Sequence, residues 1–224
     1  MKSYVSDTID TNSNLLFKKS IQYNQQSSFF QIVMASTPYE IDQANQLVHD
    51  VYVKQEFIKP SPNGRRTNEY TEQDSNLVFL GYQNERLVMA LTVFMDTDLG
   101  LPGDSIFSEE INKFRERKRK IVEAGSMATL MPSTRIFQTF QDTAILYLKR
   151  NHFNDIFILV HPRYERAYKR ILGFHFLAGP KFYPAVNNKA AIIMHLDLAK
   201  YPDIDERWNL DMEFKGKKKK VGEW

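Results

Sequence analysis

An uninterrupted apolar segment in the C-terminal half of the chain sets the strongest limit on the fold. Residues 156–160 are Ile-Phe-Ile-Leu-Val, without the alternation of apolar and polar residues that marks a strand with one solvated face. Such a run is typical of a strand covered on both faces. It is far shorter than the about 20 residues that a membrane-spanning helix needs. The segment therefore predicts the central strand of a sheet with helices on its faces.

The sequence Thr37-Pro38-Tyr39-Glu40 predicts where a first helix begins. It has the threonine, the first-turn proline and the third-position glutamate of a capping box. Apolar residues at three- and four-residue spacing continue the helix to about residue 57. Gly173 occupies the position of a left-handed C-terminal cap and ends a later, short helix. Further helices are predicted over residues 106–119, 134–150 and 164–172.

Apolar, β-prone segments complete the predicted fold. Strands are expected over residues 29–35, 77–82, 87–95, 121–130, 156–160, 174–177 and 190–197. Alternation of these strands with the helices predicts an α/β (α+β) fold in a single domain, with a mixed central β-sheet flanked by helices.

The two ends of the chain differ in composition from the middle. Residues 1–28 are rich in Ser, Asn and Gln and predict an irregular N-terminal arm before a folded domain at 29–200. A C-terminal extension, 201–224, holds a Lys-rich tail that accounts for the net charge of +3. This tail could attract nucleic acid, anionic lipid or an acidic protein, although a solvated end is the favoured interpretation. The N-terminus lacks the features of a secretory signal, so a cytoplasmic location is expected.

Several kinds of chemistry lack their residues in this chain. The sequence contains no cysteine, which excludes disulfides, iron–sulfur clusters and a cysteine nucleophile. It has no dinucleotide-binding glycine motif, no Walker lysine loop and no serine nucleophile elbow. The histidines lack the spacing of a zinc site, so neither a metal nor a permanently bound cofactor is expected.

Glu123 is an acid within an apolar strand, between Val122 and Ala124. Burial of a carboxylate is costly unless the group is paired or its pKa rises. A catalytic base or a ligand of a substrate ammonium group explains its position. A structural ion pair, for example with Arg65, or an outward-facing position on the strand explains it equally well.

Further polar candidates lie at the ends of predicted strands. His161 and Arg163 follow the buried strand, at the edge where such sheets bind ligands. Residues at such positions more often only end the strand and lie in solvent. Asp96 and Asp98 end the preceding hairpin and could bind a cation or an ammonium group, although such a pair more often only starts a turn.

Five segments, taken in order, resemble one family of acyltransferases: VYVKQEFIKP, DTDLGLPGDSIFSEEI, IVEAGSMAT, HPRYERAYKRILGF and KFYPAVNNKAAIIMHLDL. They are similar to the long-chain N-acyl amino acid synthases, the FeeM-like family. This family lies within the GNAT and acyl-homoserine lactone synthase-like superfamily. The resemblance extends from about residue 29 to residue 198 and implies a GNAT-like sheet.

The resemblance implies transfer of a long-chain fatty acyl group to the amino group of an amino acid. The donor would be the phosphopantetheine thioester of an acyl carrier protein, or acyl-CoA. Because a thioester is already activated, the reaction needs proximity, a base and oxyanion stabilisation but no covalent nucleophile. The segment ATLMPSTRIF lacks the glycine-rich loop that holds coenzyme A pyrophosphate, which favours a carrier protein. Basic contacts for an acidic carrier are available from Arg117, Lys118, Arg119, Arg163, Arg166 and Lys169.

The resemblance also assigns roles to individual residues. Glu123 is the predicted base, and Tyr168 is the predicted acid for the leaving thiolate, although it lies one residue further from Gly173 than the corresponding tyrosine of many acetyltransferases. The remaining substrate-binding candidates are Arg65, Asp96, His161, Arg163 and Lys181, with the two arginines and the lysine proposed for the acceptor carboxylate. The expected walls of an acyl pocket are Phe94, Phe107, Leu130, Phe137, Phe140 and Phe176.

Three alternatives stay open at this point. An acyl-homoserine lactone synthase is disfavoured because the loop after the first helix contains no tryptophan. An acetyl-CoA-dependent N-acetyltransferase is disfavoured by the missing pyrophosphate loop. A binding module without catalysis, using the Lys-rich tail, is the alternative from a different class. Nucleic-acid binding is not expected, whereas peripheral contact with a membrane stays possible.

Overall fold

One mixed sheet forms the centre of the computed structural model, which describes residues 18–23 and 28–202. Within these residues the strands are β1 (Lys18–Tyr23), β2 (Ser28–Met34), β3 (Leu77–Gln83), β4 (Arg86–Met95), β5 (Ile121–Thr129), β6 (Asp155–Val160), β7 (His175–Tyr183) and β8 (Lys189–Asp197). Their order across the sheet is β1-β2-β3-β4-β5-β6-β8-β7. The β5–β6 pair is parallel and the other neighbours are antiparallel. The predicted mixed sheet is confirmed.

Helices cover both faces of this sheet, as the buried strand β6 requires. They are α1 (Pro38–Lys54), α2 (Asp104–Arg115), α3 (Thr134–Arg150) and α4 (Glu165–Leu172). The predicted capping box is present, because the Thr37 hydroxyl accepts from the Glu40 N–H while the Glu40 carboxylate accepts from the Thr37 N–H. Gly173 has the left-handed conformation expected after α4, with φ of 78°.

The parallel strands β5 and β6 separate partway along their length. They pair only from Ile121–Asp155 to Glu123–Phe157. Beyond this point β5 continues its pairing with β4 to Thr129, whereas β6 continues with β8. The sheet therefore opens into a V-shaped gap whose closed end lies at Glu123.

Three groups of apolar side chains form the core on the two faces of the sheet. The largest lies under α3 and α4 and includes Phe140, which is fully buried. A second lies under α1 around Val48. The third lies under α2 and includes Phe107, also fully buried. Both phenylalanines therefore stabilise the fold by burial of large apolar surfaces.

Two predicted boundaries differ from the structure. The arm predicted as irregular over 1–28 includes β1, which pairs antiparallel with β2; residues 1–17 and 24–27 lie outside the described part. Strand β7 extends to Tyr183, well beyond the predicted 174–177. In both cases main-chain pairing at an edge of the sheet forms the strand, and this pairing leaves little apolar pattern in the sequence. The predicted extension over 201–224 is described only for its first two residues, where Tyr201 packs into the core.

An ion-pair network around the buried Asp155 links residues near the closed end of the gap between β5 and β6. Asp155 is fully buried and accepts hydrogen bonds from the Arg119 guanidinium, while His195 Nε2 lies 2.7 Å from its Oδ1. Burial alone raises the pKa of Asp155, but the hydrogen bonds with His195 and Arg119 outweigh it and lower the pKa. Asp197 contacts the same guanidinium at 3.2 Å from a more exposed position.

Asp155→Asn is expected to destabilise the protein by about 1–3 kcal/mol, because the buried side chain loses its charge-assisted hydrogen bonds with Arg119 and its contact with His195. Urea unfolding followed by circular dichroism measures the change. Asp197→Asn is the matched control, with an expected cost below about 1 kcal/mol because its side chain is partly solvated. Equal costs for the two variants would contradict the assignment of Asp155 as the centre of the network.

Candidate active site

A cavity of about 430 Å³ occupies the gap between β5 and β6. Helices α1, α3 and α4, strands β4, β7 and β8 and the adjoining loops also contribute to its walls. The volume lies in the range of small-molecule sites in proteins. Its lining is largely apolar, and the polar groups that contribute to it include Tyr52, Arg66, Glu123, Gln141, Tyr168 and Tyr183.

Glu123 lies at the closed end of the gap, and it is 3% exposed. The Gly103 N–H donates to its Oε2 over 2.7 Å. The pKa of Glu123 is raised to about 8, mainly by burial; the Gly103 hydrogen bond lowers it, and the charge of the nearby Asp104 contributes to the rise. A carboxyl group with this pKa can accept a proton near neutral pH, as a general base must. The alternative of an ion pair with Arg65 is wrong, because Arg65 pairs with Asp42.

Two tyrosines approach the cavity from helices. Tyr168 on α4 is packed edge-on against Phe137 and Phe174, and burial raises its pKa far above the usual value. Tyr52 on α1 is partly buried, and desolvation raises its pKa as well; its hydroxyl accepts a hydrogen bond from the Met127 N–H. Both hydroxyls therefore keep their protons at neutral pH and can donate to a ligand.

Strand β5 has an irregular backbone where it lines the cavity. Ser126 adopts a left-handed conformation with φ of 45°, which is uncommon for a residue with a side chain. On the neighbouring strand β4, the register of the β4–β5 pairing shifts between Ala90 and Thr92. Irregularities of this kind redirect backbone groups beside functional sites. Here the next residue, Met127, uses its N–H outside the ladder, on the Tyr52 hydroxyl.

Arg66 is a functional candidate that the sequence analysis missed. Its guanidinium lies 5.1 Å from the centre of the Tyr52 ring, and Nη2 donates to the Ala185 carbonyl over 3.2 Å. Its Nε is buried and has no hydrogen-bond partner among the residues that the structure describes. A buried donor without a partner costs about 1–3 kcal/mol. An anionic ligand in the cavity would supply the missing acceptor.

The structure brings some of the predicted residues together around the cavity. Glu123, Tyr168 and His161 line it, as do Phe94 and Phe137 from the predicted acyl pocket. His161 Nδ1 accepts from the Arg163 N–H, and burial together with Arg163 and Lys189 lowers the pKa of His161. His161 is thus a neutral polar group at the rim.

Four predicted substrate-binding residues do not line the cavity, because other residues hold them. Arg65 pairs with Asp42, Asp96 with Arg115, and Lys181 with Glu110 and the Ile106 carbonyl. Arg163 lies over the ring of Tyr164 and donates to its hydroxyl over 2.7 Å, next to the rim.

Four of the six predicted acyl-pocket residues also lie outside the cavity lining. Phe107 and Phe140 are fully buried in the core. Leu130 and Phe176 point to solvent, with 48% and 47% exposure. The apolar walls come instead from Leu91, Met127, Met131, Ile158, Ile171 and Phe174, beside Phe94 and Phe137. Methionine and aliphatic walls suit a flexible apolar ligand.

Neither metal ligands nor membrane spans were found in the described part of the chain. No cluster of three or more His, Asp or Glu residues is arranged to hold a metal ion there. None of the described helices has the length and hydropathy to cross a bilayer.

Comparison with solved structures identifies the class of this fold. FeeM, an N-acyl amino acid synthase from uncultured soil microbes, matches with a TM-score of 0.69 and 22% identity, over 79% of this chain and 94% of that chain. The CoA-dependent acyl-homoserine lactone synthase BjaI has a TM-score of 0.56 and 14% identity, over 75% and 82% of the two chains. A putative N-acetyltransferase from Lactobacillus plantarum has a TM-score of 0.55 and 16% identity, over 75% and 98%. The splayed sheet is the GNAT-like fold.

The fold, together with a family match over most of the chain, shows that this protein is an N-acyltransferase. The sequence matches the family described as N-acyl amino acid synthase FeeM over residues 43–197. The chain belongs to this family, which confirms the resemblance seen in the sequence. A comparison with curated protein sequences found no match.

Proposed function

We propose that this enzyme transfers a long-chain fatty acyl group from a phosphopantetheine thioester to the amino group of an amino acid. The observation that carries the proposal is the position of Glu123, a buried carboxyl group at the closed end of an apolar cavity between β5 and β6. Its raised pKa allows the same group to receive the proton that an amine loses when it becomes an amide.

The donor fits the open part of the gap. Past Glu123 and Phe157 the facing edges of β5 and β6 no longer pair with each other, so an extended amide-containing chain can lie between them as an added strand. Pantetheine is such a chain. The apolar walls around Met131 and Ile171 then receive the fatty acyl group.

A carrier protein is the proposed source of the thioester. Helix α4 presents the exposed Arg166 and Lys169 on its outer side, while Ala167 and Tyr168 on its inner side line the cavity. This basic outer surface is complementary to an acidic protein. Arg119, another predicted carrier contact, is instead committed to Asp155 and Asp197 at the closed end of the sheet.

The proposed reaction balances without a covalent enzyme intermediate. The acceptor nitrogen attacks the thioester carbon and gives its proton to Glu123, directly or through water. The Tyr52 hydroxyl, which accepts from the Met127 N–H and keeps its own proton, would donate to the developing oxyanion. The carbon–sulfur bond then breaks, and Tyr168 supplies a proton to the thiolate. The products are an amide and a free thiol, and the proton on Glu123 returns through solvent to the phenolate of Tyr168.

Arg66 is the proposed ligand of the acceptor carboxylate, in place of Arg65. Its buried Nε is free to donate, and its guanidinium is oriented by Tyr52 and the Ala185 carbonyl. A guanidinium can hold a carboxylate through two parallel hydrogen bonds. This contact would orient the amino group of the acceptor toward Glu123.

Mass spectrometry of lipid extracts from cells that express the protein tests the proposed function. We expect an amide of a fatty acid and an amino acid that is absent from cells with the empty vector and from cells with the Glu123→Gln variant. Its mass and fragments identify both substrates. A lactone product would instead favour the homoserine lactone reaction. The absence of any new acylated amine, with soluble protein and an acyl carrier protein present, would overturn the proposal.

A further inference from the structure

A network of ion pairs holds the loop between β4 and α2 beside Glu123. Arg115, the last residue of α2, donates to Asp96 from Nη2 over 2.6 Å and from Nε over 2.9 Å. The same guanidinium donates to Asp104 from Nη1 over 2.7 Å and from Nη2 over 2.5 Å. Because Asp96 follows β4 and Asp104 begins α2, Arg115 ties together the two ends of the loop.

The loop that Arg115 holds supplies the hydrogen bond to Glu123. Asp104 accepts from the Leu101 N–H over 2.7 Å, which fixes the backbone just before Gly103. The Gly103 N–H then reaches Glu123 Oε2 over 2.7 Å. The fit is tight, since a Cβ at position 103 would lie 2.9 Å from both Glu123 Oε2 and Leu159 Cδ1.

We propose that Arg115 is a positioning residue for the acyl transfer: it holds the Gly103 N–H on Glu123 and balances the charge of Asp104, so that Glu123 can ionise. The role of Arg115 in catalysis rests on the proposed function, whereas its effect on the ionisation of Glu123 does not. Arg115 is absent from the cavity lining and touches no reacting group. Its action on the reaction is therefore indirect, through Asp104 and Gly103.

The groups that face Glu123 come from four parts of the structure. They are Asp104 at the start of α2, Tyr52 on α1, Tyr70 in the loop after α1 and Tyr183 on β7. Burial raises the pKa of all three tyrosines, so they are uncharged at neutral pH. Asp104 is thus the anionic group among them, and Arg115 is the cation that pairs with it.

Two variants are expected to move the titration of Glu123 in opposite directions. Arg115→Gln leaves the charge of Asp104 without its partner and loosens the loop, and both effects raise the midpoint by about one pH unit or more. Asp104→Asn removes that charge but keeps an oxygen that can accept from the Leu101 N–H and from Arg115, so the midpoint falls. A general loosening of the fold cannot give both signs.

An NMR titration of the glutamate side-chain carboxyl carbons measures these midpoints on the full chain. The signal that disappears in Glu123→Gln identifies Glu123. Glu110→Gln is the matched control on the same helix, because it breaks the contact with Lys181 without touching Asp104 or Arg115, and it should leave the midpoint unchanged.

An upward shift in Arg115→Gln and a downward shift in Asp104→Asn support the proposal. Unchanged midpoints, or shifts of the same sign in both variants, overturn it. If Arg115→Gln does not fold, the Asp104→Asn variant decides the question. A Glu123 midpoint that rises or stays unchanged in Asp104→Asn would show that the charge of Asp104 does not act on Glu123. The titration needs no substrate, so its outcome does not depend on the proposed function. Opposite shifts in a protein that shows no acyl transfer would overturn the proposed function but keep the effect of Arg115 on Glu123.

Discussion

Glu123→Gln should lower kcat by about 100- to 10,000-fold, the range found when a general base is removed. Glutamine keeps the size of the side chain and can still accept from the Gly103 N–H, so the loop before α2 should keep its place. It cannot take the proton of the attacking amine. KM for the acyl donor should change little, because the proposed position of the donor is in the gap beyond Glu123. Steady-state kinetics with the purified thioester donor and the acceptor found by mass spectrometry measure both constants.

The pH dependence of the wild-type activity should show the ionisation of the Glu123 carboxyl group. Glu123 acts as a base only when ionised, and its pKa is raised to about 8 by burial. Consequently kcat/KM should rise tenfold per pH unit below about 8 and level off above it. The residual activity of Glu123→Gln should lack this rise of kcat/KM with pH.

Stability provides the control for this variant. The pKa of Glu123 is raised in the folded protein from about 4.5 to about 8, so folding favours its protonated form. Its contribution is full below pH 4.5 and is lost as the pH rises through about 8. Wild-type protein should therefore lose stability relative to Glu123→Gln as the pH rises from about 4.5 to about 8, with no further loss above that pH. A variant that is folded and at least as stable, yet still fully active, would remove Glu123 from the mechanism.

The elements that were predicted well have strong local signals. The capping box at Thr37 and the left-handed glycine at Gly173 depend on contacts within a few residues along the chain. Glu123 was found because an acid in an apolar strand is anomalous whatever surrounds it. In contrast, β1 and β7 depend on pairing with a partner strand, and their own residues show little alternation.

The choice between neighbouring arginines needed the tertiary structure. Arg65 and Arg66 lie in a long loop without periodicity, so the sequence gives no reason for one of them to face inward. Arg66 is oriented by Tyr52 on α1 and by the carbonyl of Ala185, far away along the chain. The acyl-pocket prediction failed for a related reason. Large aromatic residues such as Phe107 and Phe140 are buried equally well in a core and in a pocket wall.

Arg66→Met is expected to remove the preference of the enzyme for an acceptor that bears a carboxylate. Loss of one partner of a buried charge pair costs about 2–5 kcal/mol, so kcat/KM for the amino acid should fall by at least about 30-fold. The matching amine without the carboxylate never gains that contact, and its kcat/KM should change only a few-fold. Measurement of both acceptors with wild type and variant isolates the contribution of the carboxylate.

Arg65→Gln is the matched control, because it removes the adjacent cation, which pairs with Asp42 at the surface. Its ratio of activities on the two acceptors should equal that of wild type. If Arg66→Met instead lowered activity on both acceptors by the same factor, Arg66 would act on the packing of Tyr52 and not on the carboxylate. If Arg65→Gln alone changed the ratio, the acceptor would lie near Asp42, on the outer side of α1, and the buried Nε of Arg66 would need another explanation.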